Sequence, residues 1–206
     1  MLKASKNTKT STPAPAGAHV ARCVRIIDLG RQTTDGIYGL KTQPKVQITW
    51  ELPTELHVFS AEKGEEPFVV SQEYTLSLDE KATLRHHLES WRGRAMTAQE
   101  LEGFDVAALI GKTCTLNVIH GTSKRTGNAF AMLSSIAPMM KSAVCPPAIL
   151  PLVVYDIANG RDKVFASLPP WTQAKIEACE EWKESAPAST AATEAAETAA
   201  EADETW

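Results

Sequence analysis

The chain has 206 residues, enough for one domain of ordinary size with flanking segments, and its hydrophobic content of 43% is sufficient for a packed core. Because there is no run of about 18 apolar residues and no apolar segment behind the first cations, the sequence predicts neither a membrane-spanning helix nor a secretory signal, and a cytoplasmic location is expected. The net charge of −4 is unevenly divided, since all 21 Lys and Arg lie at or before Lys183 and six acids with no base follow it.

Composition divides the chain into four segments. Residues 1–17 are too poor in apolar side chains to offset the entropy of ordering, so they are predicted to form a flexible basic arm. Residues 18–141 hold the regular patterns of one domain. Residues 142–183 form a C-terminal extension with an amphipathic helix from Leu168 to Trp182, and residues 184–206 are a run of Ala, Thr and Glu that predicts a disordered acidic tail.

The domain begins with three runs that are typical of strands. The first, His19 to Leu29, is rich in β-branched residues, and the second, Pro44 to Leu52, alternates between apolar and polar side chains. Phe68 to Leu78 is the third. A polar connection from Gly30 to Gln43 is expected between the first two strands, and an acidic, turn-rich segment from Pro53 to Pro67 is expected before the third.

Helical patterns follow these strands. Asp79 is expected to cap a helix that ends at Gly93, because apolar residues recur between them at helical spacing. Thr97 with Glu100 three residues later has the pattern of a capping box. It predicts a second helix that stops at Gly111.

Two more alternating runs, Thr113 to Ile119 and Ala129 to Ile136, predict a hairpin. The predicted order of elements is therefore three strands, a helical connection and two strands. The five-stranded OB-fold barrel has the same order, with its helix between strands 3 and 4. The sequence therefore predicts a mainly β protein built on an OB-fold barrel, followed by a C-terminal helix and a disordered acidic tail.

No pattern in the sequence indicates catalysis, a cofactor or a metal. Gly111-Lys112-Thr113 resembles the end of a phosphate-binding loop, but Val106 stands where the motif requires glycine. His86 and His87 are adjacent on a predicted helix and point about 100° apart. The four cysteines lie far apart and form no CxxC pair: Cys23, Cys114, Cys145 and Cys179. We therefore expect a protein that is not an enzyme.

A barrel of this kind offers the face of strands 2 and 3, flanked by the loops between strands 1 and 2 and between strands 4 and 5, to single-stranded nucleic acid. Such binding needs cations for the phosphates and aromatic rings on which bases stack. The candidate residues are Arg31, Tyr38, Lys41, Lys45, Lys124 and Arg125, with Trp91 and Arg92 at a helix end. Charged loops also serve simply as solubilising turns, and Trp91 is equally suited to cover the bottom of the barrel.

Three aromatic residues on the strands, Trp50, Tyr74 and Phe130, are expected in the core. Each of them alternates in step with aliphatic neighbours, and Phe130 shares one side of its strand with Met132 and Ile136.

Five stretches, KVQITWELP, EYTLSLDEKATLRHHLESWRGR, ELEGFDVAALIGKTCTLNVIH, AFAMLSSIAP and LPPWTQAKI, resemble phage-encoded OB-fold single-stranded DNA-binding proteins. The first four lie within about Gly17 to Lys141. The resemblance implies sequence-nonspecific binding of single-stranded DNA in bacteriophage replication or recombination, in the cytoplasm of the host cell. It assigns no individual DNA contacts, because no short motif fixes them in this family.

The acidic tail adds to this resemblance through Asp203, Glu204 and Trp206. Single-strand binders of phages and bacteria often end in such a tail, which implies that it recruits replication or recombination proteins and masks the DNA groove. Deleting residues 184–206 is then expected to tighten DNA binding at low salt. A solubilising tail is the alternative interpretation of the same residues.

The second interpretation of the whole chain is an OB-fold adaptor that binds proteins and no nucleic acid. The modest charge of the body, +2 up to Lys183, supports it. Both interpretations are compatible with a homo-oligomer.

Overall fold

The computed structural model describes residues 12–36, 39–124 and 127–185. The strands in this part of the chain are β1 (Gly17–Gly36), β2 (Gly39–Ser60), β3 (Gly64–Thr75), β4 (Thr113–Thr122), β5 (Ala129–Ala137) and β6 (Val153–Tyr155). The fold is mainly β. Five antiparallel strands in the order β3-β2-β1-β4-β5 curl into a half-barrel, and the short β6 pairs with β1 in parallel. β3 and β5, at the two ends of the strand order, approach each other.

The hairpin of β1 and β2 is longer than the sequence predicts. Residues 30–43, expected as a polar connection, continue both strands as a two-stranded arm up to the pair of Gly36 with Gly39. Polar cross-strand pairs support this arm, as in the hydrogen bond of 2.7 Å between the hydroxyls of Thr33 and Thr42. The prediction of an irregular connection is therefore wrong. The sequence did not indicate strands here, because a solvated ribbon of polar residues lacks the apolar alternation that marks a half-buried strand.

The segment expected as an acidic link, residues 53–67, is also mostly strand. β2 continues to Ser60 and β3 begins at Gly64. The pairing of β2 with β3 shifts between Leu52 and Leu56. This irregular stretch accommodates the proline that follows Leu52, because a residue without an amide proton is tolerated where the ladder is interrupted.

The helices in the described residues are α1 (Thr83–Arg92), α2 (Ala98–Glu102), α3 (Lys163–Ser167), α4 (Pro170–Glu177) and α5 (Glu180–Ser185), with short 3-10 turns at Val106–Leu109 and Ile157–Asn159. No helix among them is long and apolar enough to cross a membrane. α1 begins one turn later than predicted, with Ala82 rather than Asp79 at the N-cap position. It ends as predicted at Gly93, which takes the left-handed conformation with φ of 66°.

The predicted capping box is confirmed. The Thr97 side chain accepts a hydrogen bond from the Glu100 N–H, and the Glu100 carboxylate accepts one from the Thr97 N–H at 2.9 Å. The helix that it opens is shorter than predicted, however, because α2 ends at Glu102. A 3-10 turn capped by Asp105 carries the chain on to Gly111.

The main hydrophobic core fills the inside of the curled sheet and is closed by α1. Leu84, Leu88 and Trp91 of α1 are buried against the inward side chains of the strands. The Trp91 ring packs edge-on against Trp50, with 5.7 Å between the centroids. The prediction that Trp50 and Tyr74 belong to the core is confirmed. Each large apolar side chain buried in this way stabilises the fold by about 1.5 to 3 kcal/mol.

A bulge in β5 changes which of its side chains face the core. The pairing with β4 skips Ser134, so the alternation moves by one residue. Ile136 lies in the core, whereas Phe130 and Met132 are exposed on the outer side. The prediction that these three residues share one face, with Phe130 in the core, is therefore wrong.

The C-terminal extension builds a second core on the outer side of β1. It consists of two strand residues and four residues of the extension: Ile27, Leu29, Tyr155, Phe165, Leu168 and Ile176. The predicted helix from Leu168 to Trp182 is instead the pair α4 and α5, with buried Cys179 between them. Trp182 packs against Phe165 at 5.2 Å between ring centroids, whereas Trp171 is 73% exposed.

Candidate nucleic-acid interface

Two of the predicted cations, Lys41 and Lys45, lie together on the outer face of the sheet. With Lys81 they line an open recess of about 570 Å³, here called the lysine recess, whose acidic residues are Glu73 and Asp79. The Lys45 ammonium group is held by a hydroxyl of β3 at 2.7 Å. Three ammonium groups against two carboxylates give the recess a positive balance.

Arg31 lies elsewhere on the β1–β2 arm, beside acids of α5. Its backbone N–H donates to the Glu181 carboxylate at 2.8 Å, and the Thr33 hydroxyl donates to Glu180 at 2.9 Å. These residues line an open recess of about 440 Å³. The Thr33 hydroxyl, Lys183 and, to a smaller extent, Arg31 lower the pKa of Glu180. Arg31 therefore faces carboxylates of its own chain.

The two loops expected to flank the site leave from opposite ends of β1. β4 pairs with the first residues of β1, so the β4–β5 loop lies beyond Gly17, whereas the tip of the arm follows Gly36. Lys124 is exposed in the β4–β5 loop and is not brought together with Lys41 and Lys45. Five predicted site residues fall outside the described part of the chain: Tyr38, Arg125, Asp203, Glu204 and Trp206.

The side chains of Trp91 and Arg92 make contacts within the protein itself. Trp91 is only 6% exposed, and its indole N–H donates to the Thr113 carbonyl at 2.9 Å. Arg92 pairs with Glu100, and its guanidinium lies 5.3 Å from the centroid of the Phe104 ring. Since a stacking residue must present its ring to solvent, Trp91 is removed from the candidate DNA contacts.

A second large recess of about 570 Å³ lies on the same outer face. We call it the aromatic recess and define it by one cation, three exposed aromatic rings and two hydroxyls: Arg25, Phe59, Phe130, Trp171, Thr49 and Ser71. Phe59 is 47% exposed and Phe130 is 43% exposed. The acidic residue of its lining is Glu66. Exposed rings in one concave surface are unusual for an isolated domain and indicate a binding surface.

The two phenylalanines are held by different contacts. Phe59 packs edge-on against Phe68, with 5.1 Å between the centroids, and against His57 at 4.9 Å. Phe130 lies over Gly121 of β4, where a Cβ atom would come within 3.0 Å of the phenylalanine ring and within 2.6 Å of the Met132 sulfur. Because Gly121 has no side chain, the outward side chains of β5 can occupy the space above it.

Arg25 reaches the aromatic recess because β1 has a bulge between Cys23 and Arg25, which turns the arginine outward opposite Thr49. The guanidinium is half-buried, and burial lowers its pKa. Its Nε is shielded from solvent and has no hydrogen-bond partner among the described residues, and no described carboxylate pairs with the group. Because a half-buried charge is costly without a partner, an anion bound in the recess would be stabilised there.

The aromatic recess and the lysine recess adjoin along β2 and β3. Ser71 lines the first, and the next residues of β3, Gln72 to Thr75, line the second. From Phe68 to Thr75 the strand extends over about 23 Å, at roughly 3.3 Å per residue. Rings and a guanidinium thus occupy one end of a continuous surface, and lysines occupy the other.

Sequence reasoning missed Phe59 and Arg25 and assigned Phe130 to the core. The pair Ser134-Ser135, which interrupts the apolar run of β5, is the signal that predicts a bulge and an outward Phe130. Phe59 lies in a segment whose acidic residues conceal its strand character. Arg25 has no such signal, because its burial depends on elements distant in sequence.

The described residues contain no group of three or more His, Cys, Asp or Glu side chains arranged to hold a metal ion. Comparison with known proteins identifies no family for the chain. No protein-family model matches the sequence, and a search of curated proteins finds none with significant similarity.

Proposed function

We propose that this protein binds single-stranded DNA without sequence preference through the outer face of β2 and β3. The observation that carries the proposal is Arg25, a half-buried guanidinium without a salt-bridge partner among the described residues, which lines the same recess as the exposed rings of Phe59 and Phe130. A DNA phosphate supplies an anion for the guanidinium, and an unpaired base supplies a flat face for a ring. Each base stacked on an aromatic side chain contributes about 1 to 3 kcal/mol.

The strand order supports an OB-like barrel as the scaffold. α1 lies between β3 and β4 in sequence and closes the inside of the sheet, and β3 approaches β5 as the closing strands of such a barrel do. Nucleic acids bind to this class of barrel over strands 2 and 3. The lysine recess and the aromatic recess both lie on that face.

The resemblance of the sequence supports a non-catalytic role in bacteriophage replication or recombination, in the cytoplasm of the host cell. In this proposal the acidic residues from 186 onward compete with DNA for the cationic face and recruit replication or recombination proteins. Removing residues 186–206, which leaves α5 complete, is expected to tighten DNA binding at low salt. An unchanged or weaker affinity would contradict the masking role.

Fluorescence anisotropy with labelled oligo-dT and with a duplex of equal length tests the proposal directly. We expect oligo-dT to bind at least about tenfold more tightly, because bases in a duplex are already stacked. Phe130→Ala is expected to weaken oligo-dT binding by about five- to a hundredfold. Met132→Ala is the matched control, since Met132 is exposed on the same side of β5 but outside the aromatic recess. Equal affinity for the two DNA forms, or none, would reject DNA binding by this face.

The second candidate function is an adaptor that binds proteins through the same scaffold. The observation in its favour is that acids of the extension already lie beside one of the predicted DNA-binding cations: Arg31 lines a recess with Glu180 and Glu181, and its charge helps to lower the pKa of Glu180. A pull-down with the purified chain that survives nuclease treatment, together with an absence of oligonucleotide binding, would favour this function.

A further inference from the structure

Trp171 is an exposed ring on a firmly anchored helix. It lies in the first turn of α4, where Pro170 occupies the first helical position. The same helix is fixed to the protein by Ile176 and Thr172, which are both buried. Gln173 adds a hydrogen bond of 2.8 Å from its side chain to the Leu168 carbonyl. The backbone at Trp171 is therefore held in place, while 73% of the residue is exposed.

Exposure of this ring is not explained by the packing of the extension. The other described tryptophans, Trp50, Trp91 and Trp182, pack against neighbouring rings. Trp171 instead lines the aromatic recess, with Phe59 from the end of β2 and Phe130 from β5. A surface tryptophan on an ordered helix that lines one recess with two exposed rings is typical of a binding surface rather than of a packed core.

The rings reach the recess from three separate parts of the fold. β2 and β5 belong to the curled sheet, whereas α4 belongs to the extension that covers the outer side of β1. The extension thus does more than cover apolar strand residues, because it adds an indole to the recess that the half-buried Arg25 also lines.

We propose that Trp171 stacks on an unpaired base, so that the C-terminal extension forms one wall of the single-strand site. This inference rests on the proposed function. The occupant is a nucleotide of single-stranded DNA, since flat ring faces match a base and the Arg25 guanidinium, which has no salt-bridge partner among the described residues, matches its phosphate. A duplex does not fit this description, because its base faces are covered by their neighbours.

The test compares Trp171→Ala and Trp171→Phe with wild-type protein in oligo-dT titrations. Trp171→Ala is expected to weaken binding by about ten- to a hundredfold, whereas Trp171→Phe, which keeps an aromatic face, retains most of the affinity. Leu152→Ala is the matched control, because Leu152 is an exposed apolar residue of the extension outside the recess. Circular dichroism and thermal unfolding verify that each variant is folded.

Intrinsic fluorescence gives a second readout. Wild-type emission is expected to be quenched by oligo-dT, and Trp171→Phe is expected to lose most of the quenching while still binding. Wild-type protein that binds oligo-dT, together with Trp171→Ala that binds equally well, overturns this inference and leaves the proposed function standing. Wild-type protein that does not bind oligo-dT overturns both. Leu152→Ala that weakens binding as much as Trp171→Ala overturns the assignment to the ring.

Discussion

Arg22 and Glu51 lie opposite each other in the register of β1 and β2, and their side chains hold the same segment of the C-terminal extension. The Arg22 guanidinium donates to the Pro146 carbonyl at 2.8 Å. The Glu51 carboxylate, fully buried, accepts the backbone N–H groups of Ile149 and Leu150 at 3.1 and 2.9 Å. A cross-strand pair on the outer face of the sheet therefore fixes the start of the segment that leads to α4.

Glu51→Gln is expected to destabilise this attachment. The variant keeps one acceptor oxygen but points an amide NH₂ at the second backbone N–H, which leaves a buried donor without a partner. We expect a loss of about 1 to 3 kcal/mol in the free energy of unfolding, measured by urea denaturation. The amides of Ile149 and Leu150 should also exchange with solvent faster. Glu65→Gln, at an exposed position of β3, is the control, and equal stability of the two variants would contradict the role of Glu51.

Gly30 marks the contact between β1 and the last helices. It has φ of +66°, and a Cβ atom there would lie 2.7 Å from the Ile157 side chain and 2.8 Å from Cys179 and from the Glu181 carboxylate. Gly30→Ala is expected to cost clearly more than the roughly 1 to 2 kcal/mol of left-handed strain, since Cys179 is buried and has to move.

Gly64→Ala provides the matched control for this substitution. Gly64 has φ of +73°, close to that of Gly30, and a Cβ atom there meets nothing within 4 Å. The difference between the two variants in urea denaturation isolates the packing cost. Equal losses would show that the extension does not pack tightly on β1 at Gly30.

The sequence allowed the order of the main elements to be predicted, because apolar alternation and capping residues are local signals. The hairpin of β4 and β5, the capping box at Thr97 and the end of α1 at Gly93 all follow from neighbours within a few residues. The bounds of β1 and β2 were less predictable, because the polar arm carries no apolar period.

The candidate site was harder to predict because it depends on distant elements. Lys41 and Lys45 were identified from their loop and strand, and the structure brings them together. Phe130 was misassigned because a single bulge reverses its direction. Trp171 and Arg25 line the same recess only because the extension docks on the sheet, and local spacing in the sequence does not contain that tertiary contact.

The cysteines are expected to differ in their reactivity toward thiol reagents. Cys23, Cys114 and Cys179 are buried, and burial raises the pKa of each thiol, to about 12 for Cys23. Cys145 is only partly buried and can be reached by a reagent, although burial raises the pKa of its thiol as well. Since the reagent must reach the sulfur, the native protein at pH 8 should react at one thiol, and at four in urea. Cys145→Ser should abolish the native reaction, and rapid labelling of that variant would contradict the assignment.

The buried thiols are expected to make the protein less stable at alkaline pH. The pKa of Cys23 is raised from an ordinary value near 9 to about 12 in the folded protein, so the folded state holds this proton more tightly than the unfolded state. The resulting stabilisation is fully present below about pH 9 and is lost as the pH rises toward 12. Urea midpoints measured between pH 8 and pH 11 check this, and Cys23→Ala should flatten the decline, whereas an unchanged slope would contradict it.

Arg25→Gln is expected to weaken DNA binding without lowering the stability of the fold. The guanidinium is half-buried without a partner among the described residues, so its replacement relieves a desolvation cost and should leave the free energy of unfolding unchanged or higher. Binding to oligo-dT should weaken, and the slope of log K against log salt concentration should become shallower by about 0.7, the value for one phosphate contact on a single strand. Lys163→Gln removes an exposed positive charge outside both recesses and should leave the slope unchanged. Equal slopes for wild-type protein and Arg25→Gln would show that no phosphate contacts Arg25, since a neutral side chain cannot release a counterion from DNA.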